Sequence, residues 1–247
     1  MKIAVISDIH GNLEALEAVM ADIEAQECEK IFVLGDYAMA GPEPADTINW
    51  FFKKQFDERF KMIQGNTDLM IADYNNELEQ FLKSKAPVMA EALKNDVELI
   101  NPIQKDFLRD LPIQLEELVD GVKFLLVHGS PRKNNEDILP DTPLADVEKM
   151  LENVDADVIL CGHTHLPCGF QTSNKKTVVN VGSVGRPFTP DPKSCYLKIT
   201  VSEGKCLFEH RFVDYDKEKA SEKLKKRNFN GADKLVNMLL NPQERHF

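Results

Sequence analysis

Residues 2–36 read KIAVISDIHGNLEALEAVMADIEAQECEKIFVLGD. The run from Lys2 to Ser7 is apolar and β-branched, and Lys30 to Leu34 repeats the pattern, as buried strands do. Between them Leu13, Leu16, Met20 and Ile23 recur at helical spacing, and Asn12 can cap the start. Strand, helix and strand within about 35 residues make a βαβ unit, which places the two strands parallel. Each strand runs into residues that can bind a ligand. The first ends in Asp8-Ile9-His10-Gly11 and the second in Gly35-Asp36.

Further apolar runs lie at Phe60 to Gln64, Lys123 to Val127 and Asp157 to Leu160, and the spacing predicts three more strands. A helix is expected from about Pro44 to Glu58, with Ile48, Phe51, Phe52 and Phe56 on one face. Residues 69–111 change character, with Phe81, Leu82, Met89, Leu93 and Leu108 at helical intervals and breaks at Pro87 and Pro102. This stretch reads as a helical insertion placed to cover the site. Past residue 170 the pattern alternates: Leu197, Ile199 and Val201 point one way, Tyr196, Lys198 and Thr200 the other. Ser202-Glu203-Gly204-Lys205 reads as a hairpin turn. A βαβ-like first half and an antiparallel second half are therefore expected, followed by a charged helical tail over about 216–247. The 247 residues are enough for one large α/β domain or for two small ones, and the single run of elements is read as one domain.

No run of about 18 apolar residues occurs, so no transmembrane helix is expected. The opening MKIAVISDIHGN reads as a strand rather than a secretory signal, because Asp8 and His10 interrupt it. Five cysteines, an odd number without a Cys-x-x-Cys pair, argue against a disulfide framework and for a reducing cytoplasm. The net charge of −11 argues against partners such as long nucleic acid or anionic membranes. It leaves room for a small phosphorylated substrate, because bound divalent cations reverse the local field.

The chemistry sits where the strands end. Asp8, His10, Asp36, Asn66 (in Gly65-Asn66-Thr67-Asp68), His128 and the pair His163 and His165 (in Gly162-His163-Thr164-His165) all follow predicted strands. In α/β sheets that edge is where ligands bind, and adjacent glycines permit sharp turns and close approach. Four of the six histidines lie at these ends, with His210 and His246 elsewhere. A mixed Asp, Asn and His set without Cys suits borderline first-row ions: Mn, Fe, Zn, Ni or Co. Seven ligands are too many for one small ion and fit two. Asp8 and His10 alternate along an extended segment, so a bend is needed to aim both at one ion.

In this order, DIH at 8–10, GD at 35–36, GNTD at 65–68, His128 and GHTH at 162–165 resemble the motifs of the calcineurin-like metallophosphoesterase superfamily. The resemblance spans about residues 1–213. It implies an α/β fold of four layers, two mixed β-sheets packed face to face and flanked by helices. It implies that Asp8, His10 and His165 hold one metal, that Asn66, His128 and His163 hold the second, and that Asp36 bridges. It also implies that a hydroxide bridging the ions attacks phosphorus in line, with Asp36, Asn66 and His128 in the catalytic set.

One position departs from the pattern. Where the superfamily often has a histidine after the Asn, this chain has Thr67, which cannot donate a proton at neutral pH. A smaller branch resembling bacterial phosphodiesterases shares the departure. Lack of an acid costs least with good leaving groups, so phosphodiesters and nucleotide phosphoanhydrides, a dinucleotide among them, are the expected substrates. Asp68 is expected to orient a neighbouring ligand. Arg132 and Arg186 are candidate phosphate contacts, and Phe188 could stack on a base. Asn180-Val181-Gly182-Ser183-Val184-Gly185 reads first as a tight structural turn and alternatively as a pocket-lining loop. Two rivals remain at this level: a phosphoprotein or monoester phosphatase, and a non-catalytic protein-binding scaffold of the same fold. In the scaffold reading, KASEKLKKRNFN (219–230) would be a docking helix, although a charge run is usually a solvated face.

Overall fold

A computed structural model describes residues 1–242; the final five, including His246, fall outside the described residues. The elements follow in the order β1 (Lys2–Ile6), α1 (Leu13–Ala25), β2 (Lys30–Val33), α2 (Pro44–Phe52), β3 (Phe60–Met62), α3 (Asn66–Ala72), α4 (Asn76–Lys85), α5 (Pro87–Leu99) and α6 (Pro102–Asp110). The chain continues with β4 (Gln114–Val119), β5 (Val122–Val127), α7 (Leu144–Met150), β6 (Val158–Cys161), β7 (Cys168–Gln171), β8 (Thr177–Asn180), β9 (Ser194–Ser202), β10 (Lys205–Val213), α8 (Lys217–Lys226) and α9 (Ala232–Leu240).

Ten strands form two five-stranded mixed sheets. The first has the order β10-β9-β1-β2-β3. Here β1 pairs parallel with β2, and β2 with β3, while β9 pairs antiparallel with β1 and with β10. The second has the order β4-β5-β6-β8-β7, parallel across β5, β6 and β8 and antiparallel at both edges. The sheets face each other through one apolar layer. Ile3, Val5, Phe32, Leu34, Leu197, Ile199 and Val201 of the first meet Phe124, Leu126, Val158, Leu160 and Val179 of the second. The outer face of the first sheet carries α1, α2, α5 and α6, and that of the second carries α7. Four layers result, with β1, β2, β6 and β8 buried on both sides, as their apolar runs require.

The alternation expected in β9 is present: Leu197, Ile199 and Val201 enter the layer between the sheets, whereas Tyr196 packs among the helices. The hairpin after it turns at Glu203 and Gly204, both left-handed (φ 52° and 71°), as the twist of two-residue hairpins favours. Asn12 caps α1 by accepting the Ala15 N–H. Pro87 and Pro102 are not simple breaks; each opens a helix, in the first-turn position where the missing N–H costs nothing.

Two expectations need correction. Helix α2 ends at Phe52, not near Glu58, and Phe56 is 89% exposed. The Lys54 N–H bonds to Phe51 O, a tightened last turn, so that the chain can reverse into β3. The second half is not simply antiparallel, because β8 runs parallel to β6. Its four residues are too few for the alternation to register.

Candidate metal centre

The candidate ligands follow strand ends, Asn66 opening α3 and the others on loops, and these segments are stitched to one another by backbone hydrogen bonds. Asp36 O accepts the N–H groups of Ile9 and His10, both at 2.9 Å, and Asp8 N donates to Gly35 O. Gly162 N donates to His128 O at 2.8 Å, and Gly185 N donates to Asp8 O at 3.0 Å. To meet these bonds the backbone turns left-handed at Asp8 (φ 55°), His10 (49°), Asp36 (57°), His163 (66°) and His165 (61°). Such conformations are disfavoured outside glycine and concentrate at functional sites. The paired turns at Asp8 and His10 supply the bend that their spacing demanded.

Two glycines make room for the carboxylates. A Cβ on Gly65 would lie 2.2 Å from Asp36 Oδ1, and one on Gly162 would lie 2.6 Å from Asp8 Oδ2. Any side chain at either position would push a candidate ligand out of place.

The donor atoms converge in two overlapping groups, Asp8 with His10 and His165, and Asp8 with Asp36 and His128, each within 4.8 Å. Asp36 Oδ2 lies 3.7 Å from His10 Nε2 and 3.4 Å from His128 Nε2, between the groups. Asn66 Oδ1 joins the second at 3.0 Å from His128 Nε2. His163 stands outside both groups. Its ring packs edgewise on His128 at 5.3 Å, its backbone N–H donates to Asp8 Oδ2, and its ring Nε2 faces Asp137 Oδ1 at 3.2 Å.

The arrangement fits a cation. His10, His128 and His165 each place Nδ1 against a backbone carbonyl, of Met39, Leu34 and Arg186 respectively. A carbonyl only accepts, so Nδ1 carries the proton and Nε2 presents a lone pair inward. The Nε2 atoms of His10 and His165 lie 3.1 Å apart. That separation matches two ligands at right angles on one ion, each about 2.1 Å from it. Asp8 Oδ1 is fully buried and makes no hydrogen bond, which is costly for a carboxylate unless a cation meets it.

The buried charges also act strongly on one another, and without a cation the two carboxylates favour a proton on His128. Burial pushes Asp8 up, yet His165 and His128 outweigh it and hold the carboxyl at about 2. Asp36 lies well below the usual range for the same kind of reason, with His128 first among the opposing groups. Burial would depress His128, but the Asp36 and Asp8 carboxylates lift it to about 10. Burial and His165 take His10 down to about 4.

Asp68 accepts the backbone N–H groups of Gly65, Asp36 and Tyr37 at 2.8–2.9 Å, so it braces the Asp36 loop against α3. Burial and the Asp36 charge raise it to about 7. Thr67 donates its hydroxyl to Ala38 O at 3.3 Å and its N–H to Asp36 Oδ1. Arg186 lines a small cavity beside His10, with Met89 and Met238 sulfurs near its guanidinium. Phe188 stacks on His165 at 4.7 Å, so its face is used by a candidate ligand. Arg132 is bound to Glu136 on the surface. Residues 180–185 brace the site, with Ser183 Oγ donating to Asp8 O and Asn180 Nδ2 to Gly162 O, and Gly185 also lines the small cavity beside His10. Sequence reasoning did not find Asn180 as a brace of the His163 loop, because nothing local reveals its long-range partners.

The five cysteines are free, and none belongs to either group. Among the described residues no helix is long and apolar enough to cross a membrane.

Residues 1–204 match the profile of the calcineurin-like phosphoesterase superfamily domain. An uncharacterized protein of Methanocaldococcus jannaschii is 31% identical, covering 91% of this chain and 92% of that one. A crystal structure of a hypothetical protein from Pyrococcus horikoshii superposes with a TM-score of 0.86 at 24% identity, covering 99% of both chains. A metallophosphoesterase from Sphaerobacter thermophilus superposes with a TM-score of 0.78 at 22% identity, covering 98% of this chain and all of that one. The chain belongs to the calcineurin-like phosphoesterase superfamily, and its coarse class is that of a phosphoesterase, a hydrolase.

Proposed function

We propose that this member of the calcineurin-like phosphoesterase superfamily hydrolyses phosphodiester or nucleotide phosphoanhydride bonds in small substrates, using two divalent first-row ions. The observation that carries the reading is the pair of buried donor groups that share Asp8, with Asp36 Oδ2 between His10 and His128. When bound, such ions acidify water and neutralise charge on phosphoryl oxygens. Asp8, His10 and His165 would hold one ion and Asn66, His128 and His163 the other, with Asp36 placed to serve both. Mn, Fe, Zn, Ni and Co all suit this donor set.

The chain's own groups hold these donors in place. The Nδ1–H bonds to Met39, Leu34 and Arg186 fix three imidazoles with Nε2 inward. Asp68 holds the Asp36 backbone. Thr67 commits its hydroxyl to Ala38 O, so it offers no proton to a departing oxygen. That supports substrates whose leaving group departs unprotonated. Arg186, at the rim beside His10, is the favoured contact for a non-transferred phosphate. The net charge of −11 supports a small substrate over long nucleic acid or an anionic membrane, and the free cysteines support a reducing cytoplasm.

The test is hydrolysis of bis-p-nitrophenyl phosphate against p-nitrophenyl phosphate by stripped protein, with Mn, Ni, Co, Zn or Mg returned singly. Metal-dependent turnover favouring the diester is expected. Faster monoester or phosphopeptide turnover would move the substrate class to a phosphatase. Two bound ions without turnover on any phosphoester would favour a scaffold.

A further inference from the structure

We propose that Asp137 is the positioning residue of His163: its carboxylate accepts a hydrogen bond from Nε2–H, which keeps the proton on Nε2 and leaves Nδ1 as the ligand atom for the second ion. The inference rests on the two-ion reading above and deepens it. Three of the four candidate histidines are oriented alike, with Nδ1–H on a backbone carbonyl and Nε2 inward. His163 is reversed. Its Nε2 lies 3.2 Å from Asp137 Oδ1. A carboxylate accepts, so in the neutral ring Nε2 carries the proton and only Nδ1 keeps a lone pair. The ligand atom of His163 is therefore the opposite nitrogen from that of His10, His128 and His165.

His163 is also the ring that most needs such a partner. Its side chain is 15% exposed, while those of the other three are 0–7% exposed. Packing immobilises those three, whereas His163 has solvent on one side. Asp137 is itself held at both neighbours. Ile138 is buried in the layer under the second sheet, and its carbonyl accepts from Thr164 Oγ1. Glu136 is tied to Ser130 and to Arg132 Nε, the latter at 3.0 Å. The turn is pressed on Gly129, where a Cβ would lie 2.8 Å from Glu136 N. The loop that leaves His128 thus folds back and delivers a carboxylate to the next candidate ligand. Arg132, a candidate phosphate contact in the sequence, is a strut of that loop.

A carboxylate behind a ligating imidazole fixes its tautomer and raises its basicity, and its loss typically costs about 10–100-fold in metal affinity. Two measurements on the full chain test the assignment. Long-range imidazole proton–nitrogen spectra of the zinc-loaded protein should show His163 protonated at Nε2 and the other three at Nδ1. Zinc titration calorimetry should show Asp137→Ala weakening the second ion about 10–100-fold, with the first ion unchanged. Asp137→Asn, whose Oδ1 still accepts, should recover part of that loss. An Asp137→Ala protein with two ions of wild-type affinity would overturn the proposal. So would an equal loss at both ions, which would mark general loosening, or a His163 protonated at Nδ1. A wild-type protein that takes up one ion only would overturn the two-ion reading and the Asp137 role with it.

Discussion

Asp36 meets the centre through four atoms, and only two of them belong to its side chain. Its carbonyl accepts from Ile9 and His10, and its N–H donates to Asp68. Its Oδ1 takes the Thr67 N–H, and its Oδ2 faces His10 and His128. Asp36→Ala therefore removes the shared donor but keeps the backbone stitching. Both ions should be lost and turnover should fall by more than the about 100-fold typical of outer partners, while far-ultraviolet circular dichroism stays native. Near-normal turnover would remove the bridging role. Thr67 is the residue where leaving-group chemistry can be reset. Thr67→His should raise kcat/KM for alkyl esters relative to aryl esters by about tenfold or more, since general acids supply about 10²–10⁴-fold. A ratio that stays put would show that the missing histidine does not govern leaving-group choice.

Helices α5 and α8 are joined to the strand-end loops by a buried ion pair. Asp96 Oδ1 lies 2.7 Å from Arg227 Nη2 without an aligned hydrogen bond, while Oδ2 takes the Ala40 N–H. Arg227 also donates to Gly41 O and to Asn95, so one guanidinium ties the end of α8 to α5 and to the loop after Asp36. Removing one partner of such a pair leaves the other charge buried. Arg227→Met should cost about 3–5 kcal/mol in urea unfolding, and adding Asp96→Asn should return much of it. The pH dependence carries the same signature. Burial raises Asp96 from 3.8 to about 6, against the pull of Arg227. A raised folded pKa means that the Asp96 contribution is complete below its unfolded value and is lost as pH rises to about 6. Asp96→Asn should flatten the stability curve between about pH 4 and 6; an unchanged slope there would exclude Asp96 as its source.

The two sheets lock through Phe32 and Phe124, whose rings meet edge to face at 6.2 Å, and the centre lies where loops of both sheets meet. Ion binding should therefore be felt by the whole cooperative unit. Stripping the metal should lower Tm, and restoring an ion to 100 times its Kd should return about 2.7 kcal/mol; a Tm indifferent to chelation would argue that the donors do not share an ion. Much of this was legible in the chain. The βαβ opening, the α1 cap, the β9 alternation and the placing of ligands after strands are local properties, set by side-chain period and by which residues tolerate a turn. The meeting of the two sheets came only through the family resemblance, since face-to-face packing leaves the same apolar runs as any buried strand. What only the tertiary structure decided are contacts between residues far apart in sequence. These are the antiparallel docking of β9 on β1, Asn180 beneath the His163 loop, the Asp96–Arg227 pair and the reversed ring of His163 on Asp137. Such contacts depend on where backbone carbonyls and carboxylates fall once the layers close, and no local pattern encodes that distance.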